Sequence, residues 1–245
     1  MTIFEDLVAE QDRLENVLAG LDETRWTSAS GAAGWTVADV VLHLAQSEEA
    51  VTATVTHVDL RTGLGAVAGG TMDERAGEAV RRERSAPAEV FGRWRRARRQ
   101  AVSVLRDAEP QKPVEWVGGP VKPATLATTR LTEHWAHGLD ITIPLGFRLP
   151  DTERLRHIAR LAHGMLPYAL TLDGEQPAEV RCELTAPDGS GVWRFGPPDA
   201  GSSITGPAGD FCRVAVRRLE PAQSALEARG PRGQTALRLL RTYVR

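Results

Sequence analysis

Two ionisable side chains near residue 135 have the types and spacing of metal ligands. Glu133 and His137 are four residues apart in the segment RLTEHWAHGLDI, so on a helix they project from one face about one turn apart. A carboxylate and a neutral imidazole in this relation can both bind a divalent metal. A third donor from a facing helix would complete a site with one open position, as in catalytic zinc sites.

His43 is the other histidine whose position stands out. It lies among valines and leucines in GWTVADVVLHLAQSEEAV, a segment typical of a packed helix. A lone histidine on an apolar face is more often a hydrogen-bonded core residue, and a Glu–His pair is often a solvated surface pair. Asp140, on the same face as Glu133 and His137, favours metal binding because a buried carboxylate requires a partner.

The segment matches neither of two better-known metal-binding motifs. The string E-H-x-x-H differs from H-E-x-x-H, in which two histidines bind zinc. A di-iron bundle would need two Glu-x-x-His pairs. His134 points about 100° away from Glu133, so we predict that it is not a ligand. The alternative pair, His134 with His137, would require a rotated helix.

Long amphipathic helices are the elements that would position these residues. Apolar periodicity predicts four of them, over residues 2–20, 36–55, 87–107 and 123–143. Thr36 is a suitable N-cap for the second. Residues 60–71 form a Gly-rich break and residues 108–122 a loop. Four long helices in the first half of the chain fit a helix bundle.

The pattern changes after Pro150. Residues 152–170 still favour a helix, but AEVRCELTA and VWRFG flank the turn sequence PDGSG, and SSITG follows as a third possible strand. Helical patterns return at residues 207–219 and 233–244. We therefore predict an all-α four-helix bundle over residues 1–147, followed by a small α+β domain over residues 151–245.

Composition excludes several other classes of protein. The 245 residues include 30 basic and 32 acidic side chains, and 42% are hydrophobic, which suits a packed core. No apolar run reaches the roughly 18 residues of a membrane-spanning helix, so no membrane partner is expected. The acidic N-terminus lacks signal-peptide features, which predicts a cytoplasmic protein whose Cys182 and Cys212 are buried, reduced thiols. Lys112 and Lys122 are the only lysines. This bias towards arginine indicates a GC-rich, actinobacterial genome.

Eight arginines lie between residues 81 and 99, in RRER and RWRRARR. The chain as a whole is slightly acidic and no aromatic series accompanies the arginines, so we expect no nucleic-acid partner. Two interpretations stay open. The arginines can attract a small anionic substrate, or they can form surface salt bridges with Glu78, Glu83 and Glu89.

The two helical motifs resemble the N-terminal domain of mycothiol-dependent maleylpyruvate isomerases, within the DinB/YfiT-like group of metal-binding four-helix bundles. The family pattern is Trp-Thr-x-x-Asp-x-x-x-His-Leu, followed by Arg-x-x-Glu-x-x-x-His-x-x-Asp. The resemblance covers residues 5–145 and implies that His43, Glu133 and His137 bind the metal. The C-terminal part resembles the sterol-carrier-like domain fused to this bundle in actinobacterial relatives, some of which are described as wyosine-base-formation proteins.

The resemblance implies a metal-dependent enzyme with zinc as the expected metal and mycothiol as a cosubstrate. The expected reaction is isomerisation or thiol transfer on a small electrophilic substrate. Asp140 would orient a ligand histidine and Arg130 would hold a substrate carboxylate. We also expect residues 151–245 to close over the metal. Two alternatives are a thiol-independent metal-assisted hydrolase or cyclase of secondary metabolism, and a non-catalytic small-ligand-binding protein.

Overall fold

The computed structural model describes residues 2–58, 70–117 and 119–242. Its backbone contacts divide the chain into two compact units between Leu149 and Pro150. The predicted fold class, a helical N-terminal part followed by a small α+β part, is confirmed. Among the described residues, no helix combines the length and the apolar character needed to cross a membrane.

The described residues of the first unit form four long helices and two shorter ones. They are α1 (Ile3–Ala19), α2 (Glu23–Thr27), α3 (Val37–Thr56), α4 (Met72–Glu83), α5 (Pro87–Asp107) and α6 (Pro123–Thr142). The four long helices were predicted, whereas α2 and α4 were not. Helix α2 has one turn in a Ser- and Thr-rich segment, and α4 is highly charged with few buried side chains. The predicted Gly-rich break lies mostly outside the described residues.

Helix α3 begins at Thr36, as the sequence predicts. The Thr36 hydroxyl accepts a hydrogen bond from the Asp39 backbone N–H, and the Asp39 carboxylate accepts one from the Thr36 N–H. This reciprocal pair satisfies two donors that the first turn would otherwise leave unpaired. Arg84 then binds Asp39 through Nε at 2.8 Å and Nη2 at 2.9 Å, which fixes the start of α3 against the end of α4.

The core of this unit lies between α3 and its neighbours. Val40, Val41 and Leu44 are fully buried on α3 and belong to the same apolar cluster as Val90 and Trp94 of α5. Helix α6 packs against both α1 and α3. This packing fixes the rotation of α3 about its axis and therefore determines which of its side chains meet α6.

The second unit consists of a four-stranded sheet and three helices. Its elements are α7 (Leu155–Leu172), β1 (Val180–Thr185), β2 (Val192–Phe195), β3 (Ser202–Pro207), α8 (Ala208–Ala215), β4 (Glu227–Arg229) and α9 (Gly233–Leu239). The strand order is β2-β1-β3-β4, with β1 parallel to β3 and the other two pairs antiparallel. The three predicted strands are present. Strand β4, with three residues, was not predicted, and α8 and α9 are both shorter than predicted.

We predict that Thr36→Ala lowers the free energy of unfolding by about 1 kcal/mol, because it removes the side-chain acceptor of the α3 N-cap. Urea denaturation measures this difference. Thr24→Ala, at an exposed position of α2, is the matched control and should change stability by less than about 0.5 kcal/mol. Equal effects of the two substitutions would show that the cap does not stabilise α3.

Candidate metal centre

His43, Glu133 and His137 converge in the first unit. One potential ligand atom from each lies within 4.8 Å of the others. Glu133 Oε2 is 3.8 Å from His43 Nε2 and 3.4 Å from His137 Nε2, so the carboxylate faces both imidazoles. One carboxylate oxygen and two imidazole nitrogens are a donor set that suits zinc and leaves room for a further ligand. The residues present therefore fit the expected metal.

Two helices supply these side chains. Glu133 and His137 lie on successive turns of α6, which brings the carboxylate above the imidazole. His43 comes from α3, where buried Val40 and Leu44 flank it in sequence. Because α3 packs against α6, the His43 ring lies 5.0 Å from the His137 ring, measured between centroids. The packing of α3 thus completes the set of three donors.

Asp140 contacts one of the two histidines. Its Oδ2 is 2.9 Å from His137 Nδ1, so Nε2 of the same ring is left to face Glu133. The Gly31 N–H donates to the Asp140 backbone carbonyl at 2.7 Å. A side chain at position 31 would come within 3.2 Å of Asp140 Cα. The loop before α3 can approach Asp140 this closely because residue 31 is a glycine.

Trp35 forms one wall of the cluster. Its ring centroid is 5.1 Å from that of His43 and 6.5 Å from that of His137. The sequence does not predict this position of Trp35 beside the two imidazoles. The available signal was its place directly before the N-cap Thr36, since that cap sets the direction in which the chain enters α3.

The surroundings give the three candidate ligands different proton affinities. Burial lowers the pKa of His43. Burial alone would raise the pKa of Glu133, but its contacts with His137 and His43 hold that pKa well below the usual value. For His137 the contacts with Asp140 and Glu133 outweigh burial and raise the pKa. The ionised form of Glu133 is therefore favoured, and a metal at His137 would compete with a proton that Asp140 and Glu133 stabilise.

Arg130 lies one turn before Glu133 and is directed to a different partner. Its Nε donates to Glu48 Oε1 at 3.0 Å, and the two side chains are 5% and 0% exposed. The guanidinium also lies 6.0 Å from the centre of the Trp116 ring. Burial raises the pKa of Glu48 in spite of this pairing. The role predicted for Arg130, holding a substrate carboxylate, stays a prediction. Its Nε is occupied by Glu48, whereas the buried Nη2 has no hydrogen-bond partner among the described residues.

His134 takes no part in the three-residue cluster. Trp94 Nε1–H donates to His134 Nε2 at 3.2 Å, and His134 Nδ1 lies 2.8 Å from the Arg130 carbonyl, to which it must donate. Burial, with a contribution from the Arg130 charge, lowers the pKa of His134 to about 3. Both nitrogens of this neutral ring are used, Nε2 by Trp94 of α5 and Nδ1 by a carbonyl of α6 itself.

Other residues singled out in the sequence are placed elsewhere. Cys182 and Cys212 are buried free thiols, as predicted, and burial raises the pKa of Cys182 to about 12. Six of the eight clustered arginines form ion pairs, which supports the salt-bridge interpretation for those positions: Arg81 and Arg82 with Glu78, Arg84 with Asp39, Arg93 with Glu49 and Glu83, Arg95 with Glu15, and Arg98 with Asp12 and Glu15.

Comparison with known proteins identifies the family of this chain. Residues 7–142 match the model of the mycothiol maleylpyruvate isomerase N-terminal domain, so the chain belongs to this family. Two uncharacterized proteins of Mycobacterium tuberculosis, from strains CDC 1551 / Oshkosh and H37Rv, are each 34% identical to it over 244 residues. Those alignments cover 97% of this chain and 93% of each relative.

The fold is also similar to that of a solved enzyme. The crystal structure of the mycothiol-dependent maleylpyruvate isomerase superposes with a TM-score of 0.60 at 15% identity, covering 95% of this chain and 94% of that one. A histidine-to-alanine mutant of the same enzyme gives the same values. The family resemblance inferred from the two helical motifs is confirmed.

We predict that His134→Asn removes part of the acid sensitivity of the fold. A native pKa near 3, against 6.5 for the free side chain, means that only the unfolded chain binds this proton as pH falls below about 6.5. The stability due to neutral His134 is thus present above that pH and is lost at about 1.4 kcal/mol per pH unit between pH 6.5 and 3.

The measurement is the free energy of unfolding of the parent and of His134→Asn at several pH values between 7 and 4. The variant should be less stable than the parent at pH 7, because the acceptor for Trp94 is lost, but its curve should be flatter by the slope of one proton, so the difference narrows as the pH falls. Parallel curves would contradict a neutral, buried His134.

Proposed function

We propose that this chain is a metal-dependent enzyme, a mycothiol-dependent isomerase or thiol transferase that acts on a small electrophilic substrate. The observation that carries the proposal is the convergence of His43, Glu133 and His137, whose potential ligand atoms lie within 4.8 Å of one another. Family membership supports the use of mycothiol, because the solved enzyme with this fold is named as mycothiol-dependent.

The protein groups around the proposed site have distinct tasks. His43, Glu133 and His137 would hold the metal, and zinc supplies Lewis acidity and lowers the pKa of a thiol or water bound to it. Asp140 positions His137 by accepting from Nδ1–H, which directs Nε2 inwards. Trp35 covers the two imidazoles on one side and limits the access of water.

The ionised Glu133 also affects the charge of the site. One carboxylate and two neutral imidazoles leave a bound divalent ion with a net charge of about +1, which favours an anionic fourth ligand such as a thiolate. A small substrate with a carboxylate would be attracted by the same charge. We therefore propose an anionic, electrophilic small molecule as the substrate.

We predict about one divalent ion per chain in protein that is purified without a metal-affinity tag. His43→Ala and His137→Ala should each lose most of the metal, because two remaining donors bind zinc weakly. His57→Asn is the matched control, since His57 is exposed at the end of α3 with φ +56°, a conformation that asparagine tolerates. Elemental analysis measures the content. Full occupancy in both cluster variants would contradict the ligand assignment.

We predict that Asp140→Asn weakens zinc binding about 10- to 100-fold without removing a ligand. Asp140 raises the pKa of His137, so the variant should have a lower His137 pKa and release fewer protons when zinc binds near neutral pH. Calorimetry in two buffers of different ionisation enthalpy counts those protons. The loss of affinity should be largest at high pH. It should be smaller at low pH, because there the deprotonation of His137 costs the parent more free energy than it costs the variant. A uniform loss with unchanged proton release would indicate general destabilisation instead.

The enzymatic proposal is tested with maleylpyruvate as the probe substrate, in the presence and absence of mycothiol and of zinc. Turnover that needs both supports a mycothiol-dependent isomerase. Conjugation without isomerisation of a simple electrophile would support the thiol transferase. Turnover with metal alone would indicate a hydrolase or cyclase. Full metal occupancy without thiol binding or turnover would favour a small-ligand-binding protein.

A further inference from the structure

A second concave surface lies between α1 and α5. We call it the α1–α5 groove. It has a volume of about 320 Å³, and its lining includes Val8 and Gln11 from α1 together with Arg98, Val102 and Arg106 from α5. The candidate metal ligands come from α3 and α6, so the groove shares neither residues nor elements with them. It contains part of the arginine-rich segment that the proposed function does not use.

The floor of the groove carries polar atoms without partners. Gln11 is 1% exposed, and neither its amide nitrogen nor its amide oxygen has a hydrogen-bond partner among the described residues. Arg98 Nε, also buried, has none there either. Leaving a buried polar group unsatisfied costs about 1–3 kcal/mol. A leucine in place of Gln11 would avoid that cost, so packing alone does not account for an amide at this position.

Arg98 is held rigidly at this floor. Its Nη1 donates to Asp12 at 2.8 Å and its Nη2 contacts Glu15. Its guanidinium carbon lies 5.2 Å from the centre of the Trp94 ring. These contacts occupy both terminal nitrogens of the guanidinium and leave the Nε–H without an acceptor among the described residues. Arg98 therefore offers one fixed donor in the groove that Gln11 also lines.

The rim of the groove is positively charged. Arg99 and Arg106 are exposed members of the lining, and neither forms an ion pair with a carboxylate in the described part of the chain. Asp12 and Asp107 also line the groove, but Asp12 is already paired with Arg98. Three arginines against two aspartates leave a net positive lining, and the two rim arginines are available to an incoming anion.

We propose that the α1–α5 groove binds a small organic oxyanion, a carboxylate or a phosphate ester with a short apolar part. Its charged head would accept from the Gln11 amide and Arg98 Nε–H, with Arg99 and Arg106 at the rim. Its apolar part would pack on Val8 and Val102. Charge-assisted hydrogen bonds of this kind are about twice as strong as neutral ones. The proposal is independent of the reaction at the candidate metal centre.

The test is a titration of the full chain at low ionic strength with butyrate, inorganic phosphate and butylammonium, followed by ¹⁵N NMR. The Gln11 side-chain amide and Arg98 Nε–H are the reporters. Saturable shifts of both with butyrate or phosphate support the groove. A response to butyrate alone indicates a carboxylate ligand, and a response to phosphate alone indicates a phosphate ester. Equal binding of butylammonium, or no saturable shift with any probe, would overturn the proposal.

Three variants separate a built site from general charge attraction. Arg99→Gln and Arg106→Gln should each weaken binding about three- to tenfold, the range expected for an exposed charged contact. Arg96→Gln is the matched control, because Arg96 is exposed on the same helix but does not line the groove. A loss of affinity in Arg96→Gln equal to that in Arg99→Gln would show attraction by the helix as a whole and would overturn the proposal.

Gln11→Leu provides a second, independent measurement. It should abolish the shift at Arg98 Nε–H while the free energy of unfolding stays the same or rises, because unsatisfied polar atoms are replaced by apolar ones. Zinc content should equal that of the parent, which confirms that the two sites are distinct. Undiminished anion binding by Gln11→Leu would refute the role of the buried amide.

Discussion

The need to pair five ionisable side chains that α6 buries wholly or in part is the constraint on which the rest of the first unit depends. Arg130, Glu133, His134, His137 and Asp140 lie within eleven residues of one helix that packs against α1 and α3. Each must find a partner there, because an unpaired buried charge is very costly. Glu48 of α3 meets Arg130, and Trp94 of α5 meets His134. These pairings fix the register of three helices, and the same register brings His43 to Glu133.

His134 and His137 show that partners, and not residue type, decide what a buried histidine does. They are three residues apart on one helix. The two ring nitrogens of His134 are bonded to a tryptophan N–H and a backbone carbonyl, and burial with the nearby Arg130 charge lowers the pKa to about 3. Two carboxylates surround His137, and its pKa rises. The first ring is a neutral packing element, whereas the second is a basic nitrogen held towards a shared carboxylate, as a metal ligand requires.

The sequence predicts the parts of this arrangement that depend on local spacing. Periodicity predicts the four long helices, and the i,i+4 relation predicts that Glu133 and His137 share a face. Spacing alone does not predict that His43 lies beside these two residues, because contact between α3 and α6 depends on the packing of segments 90 residues apart in sequence. The family resemblance predicts it. Trp35 and Gly31 were missed for a related reason, since a loop conformation decides their positions. The partner of Arg130 was also beyond local reasoning, because Glu48 lies 82 residues away.

The same argument explains why the arginine-rich segment divides into two kinds of residue. A run of like charges on a helix cannot be interpreted from composition, since its meaning depends on which carboxylates the neighbouring helices present. Glu15, Glu49 and Glu78 neutralise much of the run and convert it into ion pairs between or along helices. At Arg98 the pairing is incomplete at Nε, and Gln11, whose amide has no hydrogen-bond partner among the described residues either, lines the same groove. Packing alone does not explain why two buried polar groups at one cavity both lack a hydrogen-bond partner, because an apolar residue at either position would have avoided that cost.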